Sequence, residues 1–241
     1  MARHVLATVD STNAEAARLA PTLTGPAWIL AGQQTAGRGR RARAWSSSPG
    51  NFHATLVLRP EGPPAKAALH SFVASLALRD ALVALTGIDA AFRLKWPNDV
   101  LLEGRKLAGI LLESASHGPG LTHLAIGFGV NLIAVPDQSL LDPDALLPVC
   151  LLHETGLHIA PELLLDHLAP AFARRAAQLA DGFDLTRTDW LTHASHLGQP
   201  IRARTAQHTR HGLFETVDPT GALILRTPDG PIAISAAEVF F

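Results

Sequence analysis

Tyrosine is absent from this 241-residue chain, and cysteine and methionine occur once each. A lone thiol, Cys150, excludes an internal disulfide and a cysteine-based metal cluster, and suits a reducing compartment. Lysine is almost missing: of 20 basic residues only Lys66, Lys95 and Lys106 are lysines, so arginine is the default cation. Asparagine is confined to Asn13, Asn51, Asn98 and Asn131, each in a short segment punctuated by Gly, Pro or Ser. A formal net charge of -1 denies the chain an overall basic field, so any attraction to nucleic acid or membrane has to be local. Residues 1–10 lack a basic segment followed by a long apolar run, and no signal peptide is expected. The longest apolar windows, such as 69–85, are interrupted by Ser75, Arg79 and Asp80, so no transmembrane span is expected and the expected location is the cytoplasm. The 12 histidines are scattered without ligand spacing, and none is assigned to a metal.

What the chain does have is core-forming capacity. At 47% hydrophobic and 17% charged it can bury one large domain, or one plus a small one. Its dense basic cluster is residues 37–45, Gly-Arg-Gly-Arg-Arg-Ala-Arg-Ala-Trp. The guanidinium groups of Arg38, Arg40, Arg41 and Arg43 repel one another unless an anion joins them, so the loop is either a solvated charge run or an anion site.

Residues 3–9 read as a strand, and Thr12 with Glu15 fits a capping box opening a short helix to about Leu19. The same Ser11 and Thr12 hydroxyls could equally face a ligand. Strands are expected at 27–33 and 52–58, on either side of the arginine loop. Pro63-Pro64 opens a long helical pattern closed by Gly87. Residues 92–95, the turn 96–99, residues 100–102, the hairpin signal Glu103-Gly104 and residues 106–113 form a hairpin with a proline-broken start. The strand 121–131 carries Gly127 and Gly129 at alternate positions, which leaves one face bare for a close approach. From about Ser139 the pattern turns helical, with helices expected over 148–154, over 161–180 with a kink or break at Pro170, and over 186–196. Asp142-Pro143-Asp144 reads as a turn rather than a metal site. Beyond Gly198-Gln199-Pro200, short strands at 201–205, 213–217, 222–226 and 232–235 read as a small β-barrel. The expected fold is therefore α+β: a mixed-sheet domain over 1–197 and a small β domain over 198–241.

Four segments concentrate the chemistry: 11–13, 34–45, 95–99 with 106–109, and 127–131. Four arginines, two of the three lysines, a carboxylate and bare glycine strands suit phosphate chemistry with a second, carboxylate-bearing substrate. Two such anions repel by roughly 4 kcal/mol at about 4 Å in an effective dielectric near 20, and cations offset that repulsion.

Asp-Ser-Thr-Asn at 10–13, Gln-Thr-Ala-Gly-Arg-Gly-Arg-Arg-Ala-Arg-Ala-Trp at 34–45, Lys-Trp-Pro-Asn-Asp at 95–99, Lys-Leu-Ala-Gly-Ile-Leu at 106–111 and Gly-Phe-Gly-Val-Asn-Leu at 127–132 resemble the biotin protein ligase family in order and spacing. The resemblance covers essentially the whole chain, including an SH3-like carboxy-terminal domain. It implies that biotin carboxylate attacks the α-phosphate of ATP, with Mg²⁺, to give biotinyl-5'-AMP. A lysine of a biotin carboxyl carrier domain then displaces AMP. It also implies residue roles. Ser11, Thr12, Asn13 and Gln34 would meet the biotin ureido end, with Gly109, Gly127 and Gly129 giving the backbone close approach. Arg38 and Arg40 would cover the adenylate, with Arg41 and Arg43 near phosphate. Trp45 would wall the adenine, unless it is a plain core tryptophan. Lys106 would bridge carboxylate and α-phosphate, and with Arg40 and Asp99 forms the implied catalytic set. Asn98, Asp99 and Asn131 would meet the nucleotide, Asp99 and Asn131 as Mg²⁺ ligands and Asp99 also as acceptor of the incoming lysine's proton. Lys95 either joins them or pairs within its hairpin.

The sequence departs from the family pattern at Ala42, where a third loop glycine is common, and at Ala237, where glycine commonly precedes Glu-Val. No helix-turn-helix precedes residue 1, so the resemblance is to the catalytic-only class, with neither DNA nor membrane as partner and a homodimer allowed. Two other readings remain: a lipoate-protein ligase, and an arginine-loop module binding nucleic-acid phosphates.

Overall fold

The computed structural model describes residues 1–117, 120–137 and 144–241. Two sheets organise the chain. The larger has seven strands in the order β1-β2-β3-β7-β6-β5-β4. These are β1 (Ala2–Val9), β2 (Ala27–Gln34), β3 (Phe52–Leu58), β4 (Phe92–Lys95), β5 (Asp99–Leu102), β6 (Arg105–His117) and β7 (Gly120–Val130). β1 and β2 run parallel, joined through helix α1 (Thr12–Leu19), and the other neighbours are antiparallel.

Strand alternation divides this sheet into two chemically different faces. On β7, Leu124, Ile126, Phe128 and Val130 enter the main core, as do Trp28 and Leu30 of β2 and Ala108 and Ile110 of β6. Against that face pack α3 (His70–Thr86) and α5 (Pro161–Ala180). The intervening β7 residues Gly127 and Gly129 therefore face the other way, on the side where α1 covers Ile29, Val57 and Ala125.

The expected long helix is broken into α2 (Pro64–Ala68) and α3, with Gly87 ending α3 in the left-handed conformation at φ 72°. By length and composition the stretch Pro64–Thr86 could cross a membrane, but 56% of its apolar window is buried inside the fold, where it serves as a core helix. α5 runs through Pro170 as one helix, contrary to a full break. α4 is only Leu151–Thr155, because Pro148, Val149 and Cys150 are extended against Lys106 and Asn131. The start of the helical pattern at about Ser139 and the Asp142-Pro143 part of the expected turn lie outside the described residues. α1 forms without the capping box: Ser11 is its N-cap and no side chain caps it.

After α6 (Phe183–His193) come β8 (Pro200–Arg204), β9 (Thr209–Val217), β10 (Leu223–Thr227), β11 (Gly230–Ile234) and β12 (Glu238–Phe240). They form one antiparallel sheet in the order β11-β10-β9-β8-β12, with no pairing that closes it into a barrel among the described residues. β12 was not expected, since three residues are too short to show a period.

Trp190 of α6 joins the two sheets. Its ring lies 5.2 Å from Phe72 of α3 and 6.5 Å from Phe214 of β9, and its indole N–H donates to Ser75 Oγ at 3.0 Å. Trp190→Ala is expected to destabilise the chain by about 3–5 kcal/mol through the cavity and the lost hydrogen bond, measured as a lowered midpoint in urea.

Candidate active site

The bare face of β5, β6 and β7 is the floor of a cavity of about 830 Å³. Register aligns Asp99, Gly109 and Gly129 in one row across the three strands, and Leu111 and Gly127 in a neighbouring row. The arginine loop, the start of α1, the β4–β5 turn and β12 supply the walls.

At the centre sits a buried carboxylate between two ammonium groups. Lys106 Nζ lies 2.8 Å from Asp99 Oδ1, and Lys95 Nζ 3.8 Å from Asp99 Oδ2. Burial alone would raise the Asp99 pKa, but the charges of Lys106, Lys95 and Arg40 outweigh it and hold the carboxyl below its usual range. Lys95 is pushed below the ordinary lysine value, chiefly by burial, with Asp99 opposing. Burial likewise lowers Arg40, which donates toward Asn98 Oδ1 at 3.5 Å and the Ala237 carbonyl at 3.3 Å. The neighbouring Asn98 amide is itself anchored to the Ile110 carbonyl.

The arginine loop is a small closed hairpin. Gly39 N–H donates to the Arg43 carbonyl at 2.7 Å, and Trp45 N–H to the Gly37 carbonyl at 2.9 Å. Arg41 and Ala42 both sit at φ 58°, a left-handed conformation that costs a residue with a β-carbon about 1–2 kcal/mol. Glu238 of β12 holds the loop from outside: it pairs with Arg43, with Arg41 at 2.7 Å and with Arg204 at 3.0 Å. Arg38 points the other way, 3.6 Å from Glu113 of β6.

The far end of the cavity is a cluster of hydroxyls and amides backed by the Glu113 carboxylate. Thr12 donates its backbone N–H to Gln34 Oε1 at 2.9 Å, and Gln34 Nε2 donates to Ser47 Oγ at 3.0 Å. The Thr55 hydroxyl lies 2.8 Å from the Thr12 hydroxyl and donates to Asn13 Oδ1 at 2.7 Å. Asn13 Nδ2 donates to Glu113 Oε2 at 2.8 Å and weakly to the Leu111 carbonyl at 3.3 Å. These contacts explain the missing capping box: the Thr12 hydroxyl is turned into this cluster.

The whole chain can now be compared with known proteins. Residues 5–131 match the model of the Biotin/lipoate A/B protein ligase family, and residues 196–241 match that of the Biotin protein ligase C terminal domain. The chain is 56% identical over 238 residues to the biotin--[acetyl-CoA-carboxylase] ligase of Paracoccus denitrificans, covering 98% of this chain and 99% of that one. The chain belongs to the biotin/lipoate protein ligase family.

More distant relatives of this ligase include the bifunctional ligase/repressor BirA of Bacillus subtilis, 32% identical over 88% of this chain and 65% of the relative. The fold matches the structure of a biotin protein ligase from Aquifex aeolicus in complex with biotin and ATP, with a TM-score of 0.83 at 23% identity over 99% and 97% of the two chains.

The cavity of this ligase gathers Ser11, Thr12, Asn13, Gln34, Arg38, Arg40, Arg41, Arg43, Trp45, Asn98, Asp99, Lys106, Gly109, Gly127, Gly129 and Asn131, so every candidate site residue lines one space. Two of the glycines lie directly under protein side chains. A β-carbon on Gly129 would collide with the Trp45 indole, and one on Gly127 with the Asn13 amide. The glycine strands here are thus covered by protein groups, and Trp45 rests on the floor with its Nε1 buried and unpartnered among the described residues. Asn13, engaged on both sides of its amide, is part of the scaffold of the cluster.

A resident Mg²⁺ fits the donor set poorly. Asp99 is already flanked by two ammonium groups, and the described residues hold no group of three His, Cys, Asp or Glu side chains able to bind a metal. The lowered Asp99 pKa equally makes it a weak proton acceptor.

Sequence reasoning missed Glu113, Thr55, Ser47 and Glu238, which hold the site residues in place. Glu113 and Thr55 could have been found from strand parity, since each shares a face with Gly109 or Gly127. Gly129→Ala is expected to lift Trp45 off the floor, red-shifting its fluorescence. The same substitution in a Trp45→Phe background should leave the emission of the remaining indoles unchanged.

Proposed function

We propose that this chain uses ATP to ligate biotin to a specific lysine of a biotin carboxyl carrier domain, through biotinyl-5'-AMP. The observation that carries the reading is the Lys106 ammonium, fixed 2.8 Å from Asp99 in a cavity walled by arginines at one end and by neutral hydrogen-bonding groups at the other. That polarity suits a ligand with a uncharged ureido ring at one end and a carboxylate to be joined to phosphate at the other. The name of the Paracoccus relative, at 56% identity, supports biotin over lipoate.

In the first step a biotin carboxylate oxygen attacks the α-phosphorus and pyrophosphate leaves. Lys106 contacts both anions and offsets their repulsion, and Arg40 and Arg38 stabilise the charge that develops on phosphate. Arg41 and Arg43 receive phosphate oxygens by exchanging Glu238 for them. Ser11, Thr12 and Gln34 bind the ureido ring, and Asn13 positions them. Trp45 moves from the Gly129 floor to wall the adenine, and Asn98 and Asn131 hold the nucleotide. Mg²⁺ arrives with the triphosphate of its substrate. In the second step the neutral amine of the carrier lysine attacks the acyl carbon, the bond from that carbon to the phosphate oxygen breaks, AMP leaves with the electron pair, and the surplus amine proton passes to solvent. Asp99 serves both steps by keeping Lys106 and Lys95 in place.

Residues 1–197 hold biotin and ATP, and residues 198–241 form the SH3-like unit whose Glu238 steadies the loop. The protein acts in the cytoplasm, with neither DNA nor membrane as partner, and a homodimer is compatible with the reading. A phosphate-binding nucleic-acid module is less well supported, because the near-neutral charge offers no extended basic surface.

Pyrophosphate exchange into ATP is expected to depend on added biotin and not on lipoate, and exchange indifferent to biotin would sink the proposal. Lys106→Ala is expected to slow single-turnover adenylate formation by about 10²–10³-fold while far-ultraviolet circular dichroism stays the same. An unchanged rate removes Lys106 from its role.

A further inference from the structure

The outward face of the second sheet carries a groove of about 770 Å³ that adenylation leaves unused. Strand alternation builds it. Ile201, Ala203 and Val239 point into the core, so their neighbours Pro200, Arg202 and Phe240 point outward. Phe240, Arg202 and His211 lie side by side across β12, β8 and β9, and Pro200, Leu213 and Arg226 across β8, β9 and β10. Leu213 is 41% exposed and Phe241 40%, so two large apolar side chains stand in water on one surface.

Three observations identify what covers this face. Phe240 lines both the groove and the catalytic cavity, so the two are continuous through one ring. An acceptor domain has to extend a lysine side chain into that cavity, which brings its backbone within one side-chain length of the mouth and onto the surface beside it. The side-chain charge is also one-sided: Arg202, His211 and Arg226 line the groove and no Asp or Glu side chain among the described residues does. Arg202 and Arg204 stack on the Phe240 ring at 4.5 and 4.6 Å, which fixes both guanidinium groups at the junction. Their neighbours' pairings, Arg202 with Asp144 at 3.2 Å and Arg226 with Glu215, are exposed surface pairs. Such pairs are weak enough for carboxylates of a docking protein to replace them.

We infer that this face docks the acceptor protein, taking an acidic and apolar surface that flanks the target lysine and seating an apolar side chain against Leu213 and Phe241. The inference rests on the ligase reading above and adds to it the place where the second substrate is held. Leu213 and Arg226 line the groove and not the catalytic cavity, so the face they form sets acceptor affinity and leaves the chemistry alone.

The test uses the full chain with Leu213→Glu and, separately, Arg226→Glu. Biotin-dependent pyrophosphate exchange, which needs no acceptor, is expected to match the unaltered protein. Transfer to a biotin carboxyl carrier domain is expected to show KM raised about tenfold or more with kcat kept, while discharge of preformed adenylate by hydroxylamine is unchanged. An unaltered carrier KM in both variants overturns the inference, as does an equal loss in exchange, which would place the fault in the cavity. Loss of a dimer by sedimentation with carrier KM unchanged also overturns it and makes the face a contact between copies. Exchange that ignores biotin in the unaltered chain overturns instead the ligase reading beneath it.

Discussion

The site depends on one buried carboxylate. Asp99 comes from a strand whose opposite face is core, and it emerges beside Gly109 of β6, with Gly129 of β7 beyond, where the Lys106 and Lys95 ammonium groups reach it. Two ammonium groups cannot share a half-buried wall without it. Their mutual repulsion and their desolvation both oppose the folded state, and a single negative charge offsets the two at once. Removing one member of such a set commonly costs about 3–5 kcal/mol, because an uncompensated charge remains behind. The centre of the cavity is therefore positive by arrangement, and it stays ready for two anions before either is present.

The second sheet applies the same logic at the mouth. Four arginines on one loop would keep it splayed, yet Glu238 reaches Arg41 and Arg43 from β12 and Glu113 reaches Arg38 from β6. A carboxylate in each of these places neutralises a guanidinium. The loop is thereby tied to both sheets by ion pairs. The mixed sheet supplies the floor, the short β12 supplies the clasp, and Trp190 keeps the two in register through Phe72 and Phe214.

Much of this was legible in the residues. Strong periodicity located β1, β2, β3, β7, α3 and α5, and the segments richest in rare residue types all converge on one cavity. The alternation of Gly127 and Gly129 with Ile126, Phe128 and Val130 already said that one side of β7 is bare. Other features carried no local signal. β12 spans three residues, and Glu238 matters through partners about 195 positions away, which only folding brings together. The capping box at Thr12 and Glu15 was plausible on spacing, but burial beside Gln34 and Thr55 turned the hydroxyl inward. Glycine positions showed where space is made. What fills it, Trp45 over Gly129 and Asn13 over Gly127, was set by the path of distant loops.

Ala42 gives the arginine loop an energetic character of its own. A β-carbon held at φ 58° lifts this conformer relative to others the loop can adopt, where glycine would lift it hardly at all. Glu238 holds the strained segment from β12. The loop's conformation thus sets the strain of two β-carbons, on Arg41 and Ala42, against the ion pairs that Glu238 makes with Arg41 and Arg43.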